Sequence, residues 1–233
     1  MNLKSHITWC LVMACYCCPA QPSAVENPLF NTFKQGNTTN EGHSATVALI
    51  KAAIGNFGIN NVFRYVYTDN GGKKYNVRLR NEKRITLTFA ELEQAKGQAA
   101  FRERAADPLS GEIKKYAIFC FAVMAKKLQD QYPGYTYAAA ISDLNDGYEL
   151  TDIATLLGLQ LKKLEPCSIP NLSQYNHIIV RNNYHIAYAH TGYYDECNTQ
   201  AGMAALNAFR DNHAGGSCSF KKCNINQAFR VDE

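Results

Sequence analysis

Near the start of the chain, apolar positions recur at helical spacing in one stretch: Val47, Ile50 and Ile54, with Ala45, Ala48, Ala52 and Ala53 on the other faces. That spacing predicts a short helix over 43–55, capped by Thr39 or Asn40 and ended by Gly55 as a left-handed C-terminal residue. A helix that is apolar on most sides is buried on most sides, so its start should lie deep between two other layers. The free amide N–H groups and positive dipole end there stabilise an anion or a developing oxyanion. Ser44 falls in this first turn, where either a nucleophile or a capping serine would sit.

The pattern then changes period. Residues 25–39 read as an irregular arm rich in Asn, Thr and Pro. Alternation predicts strands over 62–68 and 75–80, joined through Asp69-Asn70-Gly71-Gly72, and a third over 85–87. Thr88 and Glu91 make a capping box, so a helix should run from there to about Arg104. Asp107 to Gly111 breaks the chain, and 112–131 is the longest predicted helix, with Ile113, Tyr116, Ala117, Cys120, Val123, Met124 and Leu128 facing inward. A further helical piece covers 150–157 and stops at Gly158.

The last third alternates again. Strands are expected over 177–181 and 184–189, hinged at Asn182-Asn183, and another over 193–196. Residues 200–211 look helical, and 224–231 reads as a closing strand. This order of helices followed by antiparallel strands predicts an α+β fold.

A chain of 233 residues can bury a sizeable core as one large domain or two small lobes. Its 46% hydrophobic and 19% charged residues describe a globular protein, not a disordered one. A net charge of +4, with no arginine-rich run or aromatic–basic platform in the sequence, argues against a nucleic-acid partner. The apolar stretch 7–18 follows Lys4 and is far shorter than the roughly 20 residues of a membrane span. With small residues at Ala20 and Ala24, it reads as a secretory leader over 1–24, preceding one domain over 25–233. Val12-Met13-Ala14-Cys15 also loosely resembles a lipoprotein box, which makes a lipid-anchored or periplasmic protein the alternative to a secreted one.

Removing that leader leaves Cys120, Cys167, Cys197, Cys218 and Cys223. In an oxidising compartment an odd count leaves one thiol unpaired. Cys120, inside an apolar run, is the expected buried free thiol, and the other four allow two disulfides with three pairings. The spacing of Cys218 and Cys223 suggests no zinc site.

Gly42-His43-Ser44-Ala45 followed by Val47-Ala48-Leu49, and Tyr184-His185-Ile186-Ala187-Tyr188 late in the chain, together resemble papain-like cysteine peptidases. The hairpin-then-helix over 75–92 resembles their calpain-type bacterial relatives, and the likeness covers roughly 40–200. The resemblance implies a papain-like fold, a helical part packed on an antiparallel sheet, acting on a peptide or amide bond without a metal or cofactor. It makes residue 44 the nucleophile, His185 the general base and Asp195 the orienting group, with Asn198 as the other candidate for that role. Asn40 would supply an oxyanion donor, although Thr38 stands where such enzymes usually carry Gln.

The departure is Ser44, which stands where the family has Cys. A hydroxyl is hardly ionised by a pairing tuned to a thiol with a pKa of about 8.5. Ser44 is therefore an engineered replacement of a catalytic Cys, the mark of a pseudoenzyme that still binds peptides, or a true serine nucleophile. A peptidoglycan amidase or transglutaminase-like effector would share the same Cys/Ser–His–Asp layout. His177 and His190, alternating with apolar residues, read as satisfied sheet histidines, and His43 as a turn residue.

Overall fold

The helix predicted near the start forms, and it sets the architecture. In the computed structural model, α1 (His43–Phe57) is buried at every position from 44 to 54. The structure describes residues 27–35, 43–69, 71–103, 107–165, 169–182, 186–195, 203–205 and 225–233. The predicted leader, Asn40, His185, Asn198 and the four candidate disulfide cysteines lie outside these residues.

α1 packs most extensively against one strand, β8 (Ile186–His190), and also touches the helices α3 (Pro108–Gln131), α4 (Tyr137–Asp146) and α5 (Leu150–Leu156). β8 belongs to an antiparallel six-stranded sheet with β6 (Gln160–Lys163), β7 (Ile178–Arg181), β9 (Tyr193–Asp195), β10 (Met203–Ala205) and β11 (Gln227–Asp232). The strand order is β10-β9-β8-β7-β11-β6. A second, three-stranded sheet is a meander of β2 (Tyr65–Thr68), β3 (Lys74–Arg78) and β4 (Arg84–Thr88). The fold is therefore α+β, with helices on one side of an antiparallel sheet.

The six-stranded sheet is covered on both faces. Ile179, Tyr188 and Val231 join the main core under α1, while Ile178, Val180, Ala187, Ala189 and Ala228 join a second cluster with Leu164, Leu172 and Ile225. Such strands read as nearly continuous apolar runs, as Ile178-Ile179-Val180 does.

Capping chemistry explains the helix starts. Thr88 and Glu91 complete the predicted capping box of α2 (Phe89–Gln98). The expected break before α3 is its cap: Asp107 accepts from the Ser110 amide at 2.9 Å, and Pro108 occupies the first turn.

Several expectations need correction. The irregular arm contains a 3-10 helix, Pro28–Asn31, and β1 (Phe33–Gln35), which pairs with β5 (Phe101–Glu103). That pairing ends α2 six residues before Arg104, because Phe101 is drawn onto Phe33 and Phe121, with ring centroids 4.9 and 5.5 Å away. Gly55 does not end α1. The left-handed residue is Gly58, at φ 91°, whose amide donates to the Ile54 carbonyl. Gly55 is required for space instead, since a Cβ there would lie 2.2 Å from His177 Nδ1.

A two-residue turn at Asn182-Asn183 would set Arg181 opposite Tyr184, but the observed partner is Ile186. The shift is an even number of residues, so every side chain keeps its face. Within the expected helix over 200–211, residues 203–205 are β10, paired with β9. Strand pairing overrides the helical propensity of Met203-Ala204-Ala205. The expected closing strand, β11, lies between β7 and β6, and the latter was not foreseen.

Candidate functional site

Ser44 lies in the first turn of α1 and is 7% exposed. The helix start is held by Thr46, whose hydroxyl donates to the Leu144 carbonyl at the end of α4, 3.3 Å away. A small hydroxyl at a buried helix start is the element the sequence predicts.

Two turns further on, Lys51 is fully buried. Its ammonium donates to Asp195 Oδ2 at 2.6 Å and lies over the Phe33 ring, 4.9 Å from the centroid. Asp195, the expected orienting group, is 5% exposed and engages this cation. Lys51 has no role in the sequence-based assignment, although a lysine inside Leu49-Ile50-Lys51-Ala52-Ala53 is itself a signal. A buried ammonium requires an acid close by.

Near the C-terminal end of α1 lies a polar cluster. Asn27 Nδ2 donates to the Tyr188 hydroxyl at 2.7 Å, and that hydroxyl meets His177 Nδ1 at 2.8 Å. The rings of His177 and His190 are 4.4 Å apart, and His190 Nδ1 is buried without a hydrogen-bond partner. Burial pushes His177 down to about 4, reinforced by His190. Burial lowers His190 as well. His177 is satisfied but lies just before β7, at φ 51°, and not in the sheet, whereas His190, in β8, is only partly satisfied.

These contacts fix the relation of α1 to β8. Lys51 meets Asp195, which continues the β8–β9 register opposite Tyr188. Gly55 meets His177, which precedes β7 and lies against His190 of β8, their ring centroids 4.4 Å apart. Four helical residues advance about 6 Å and two strand residues about 6.6 Å, so the steps match and β8 runs parallel to α1. On the same scale Ile186 lies near the level of Val47, toward the Ser44 end. Ile186 and Tyr188 face α1, whereas Ala187 and Ala189 face the second cluster.

Cys120 is buried and free, as expected, and burial pushes its thiol up and leaves it unreactive. Among the described residues no group of His, Cys, Asp and Glu is arranged to hold a metal ion, and no helix is long and apolar enough to cross a membrane. Comparison of the chain with family models, with curated proteins and with solved structures finds no match.

Proposed function

We propose that this chain is a papain-like domain, exported from the cell, whose cleft at the start of α1 binds a peptide without efficient turnover. The Lys51–Asp195 pair carries this reading. Asp195 Oδ2, expected to orient an imidazole, accepts from an ammonium two helical turns beyond Ser44, a cation that the triad layout does not call for. Ser44 adds to the argument, because a hydroxyl in a thiol-tuned site is a poor nucleophile.

A second reading, a working hydrolase, is favoured by one observation. Ser44 opens a buried helix, and the strand packed along it begins at Ile186, near the same level. In that reading residue 44 attacks the carbonyl carbon and His185 takes its proton. His185 then returns the proton to the leaving amine, and Asn40 donates to the oxyanion.

Two labelling experiments separate these. The wild-type protein should not react with a fluorophosphonate, and stoichiometric labelling of Ser44 would establish the hydrolase instead. Ser44→Cys should be alkylated by iodoacetamide about tenfold or more faster than Ser44→Cys/His185→Ala, since a paired thiolate is the reactive species. Equal, slow rates in the two would remove the papain-like assignment.

A further inference from the structure

β2 is the edge strand of the three-stranded sheet, and all four of its residues are exposed. Its register with β3 joins Tyr65 to Arg78 and Tyr67 to Asn76, and Asp69 donates to the Lys74 carbonyl just beyond. In an antiparallel ladder bonded and non-bonded pairs alternate. The odd-numbered residues therefore bond to β3, and the N–H and C=O groups of Val66 and Thr68 point outward along the free edge.

The two sides of this edge differ. On one, Val66 and Tyr75 roof an open groove of about 480 Å³ whose other apolar walls are Ile59, Leu92, Tyr116 and Phe119. On the other, Tyr65 and Tyr67 stand 62% exposed in the register of Lys74, Arg78 and Arg84. An added strand would alternate its side chains between these environments.

Charge says what kind of strand fits. Residues 64–88 hold seven basic side chains (Arg64, Lys73, Lys74, Arg78, Arg80, Lys83, Arg84) and two acidic ones (Asp69, Glu82). That is +5, against −1 for the rest of a chain whose total is +4. Asp69 is occupied by the Lys73 and Lys74 amides, Glu82 by Arg64 and Arg78, and Glu233 by Arg64 and Arg80, while Glu112 and Lys115 both line the groove. A second copy would bring the same positive charge to the edge, which disfavours self-pairing.

We infer that the β2 edge is a docking site for an extended acidic peptide, which adds as a further strand and sets an apolar side chain into the Val66–Phe119 groove. This site lies beyond the C-terminal end of α1, through Ile59, and does not rest on the function of Ser44.

The test titrates the full chain with a fluorescent peptide of alternating valine and glutamate, with its valine–lysine counterpart and with oligothymidylate. The valine–glutamate peptide should bind saturably, and added salt should weaken it. Hydrogen exchange at the Val66 and Thr68 amides should slow on binding. Thr68→Pro removes an outward N–H without touching the ladder and should cut affinity about tenfold or more. Lys115→Glu, on the exposed rim of the groove, should weaken binding without altering the fold. Binding of the oligothymidylate in place of the peptide would overturn the proposal. So would concentration-dependent dimerisation that blocks the peptide, binding unchanged by both variants, or no binding at all.

Discussion

The two main sheets solve the same problem in opposite ways. The six-stranded sheet is covered on both faces, and two buried polar contacts mark it: Asp195 with Lys51 of α1, and Tyr188 with His177. The three-stranded sheet covers one face, with Val77, Ile85 and Leu87 inward, and leaves Tyr65, Tyr67 and Arg84 in water. In the first, a charge is tolerated only with a partner. In the second, charges gather freely because water screens them. The chain thus keeps buried, paired charge beside one sheet and exposed charge on the other.

The sharpest way to break this contrast is at Lys51. Lys51→Ala removes the cation from the buried Asp195 carboxylate, and should cost about 3–5 kcal/mol in unfolding free energy measured with urea. Lys51→Met with Asp195→Leu should recover most of that loss, because an apolar pair of similar volume avoids desolvating two charges. A loss of under about 1 kcal/mol for Lys51→Ala would mean that the pair is hydrated, and the covered sheet would not differ from the open one.

The histidine cluster probes the same sheet by pH. His177 titrates near 4 in the fold against about 6.5 unfolded, so between these values the unfolded chain binds more protons. Stability is then intact above pH 6.5 and falls as pH drops toward 4, by up to about 3 kcal/mol from this group. His177→Asn tolerates the observed positive φ of 51° and should flatten that slope. An unchanged slope would assign the acid sensitivity to other groups.

How much of this was legible beforehand depends on how many layers a segment touches. The meander over 62–87 faces water on one side, so alternation and the Asp69-Asn70-Gly71-Gly72 turn sufficed to draw it. The start of α1 and the Cys120 core position were equally readable. Other pairings were not: those of β1 with β5 and of β11 between β7 and β6 depend on partners 46 to 72 residues away, and β10 on β9, though only 8 to 12 residues away, runs against local helical propensity. α4 was not foreseen, although Tyr137, Ala140, Ile141 and Leu144, all buried, recur at helical spacing. Of the expected site, Ser44 is on a buried helix start and Asp195 is buried, but the contact of Lys51 with Asp195 could come only from the packing of α1 on the sheet. The basic–aromatic face was hidden for a similar reason. Tyr65, Tyr67, Lys74, Arg78 and Arg84 are dispersed in sequence and meet only through the β2–β3–β4 register.

The smallest expected effect lies on the open sheet. Arg64 reaches Glu82 at 2.9 Å and Glu233 at 3.0 Å, and these side chains are 42%, 51% and 51% exposed. Each pair holds two flexible chains in one geometry, in a medium that screens their attraction. Arg64→Ala should therefore change unfolding free energy by less than about 1 kcal/mol, and 1 M salt should erase even that. The contrast with Lys51 is then one of environment, since both are single cations paired with carboxylates at hydrogen-bond distance. If Arg64→Ala cost as much as Lys51→Ala, the meander would have to be a packed part of the core, and its exposed edge could not be free to take up a further strand.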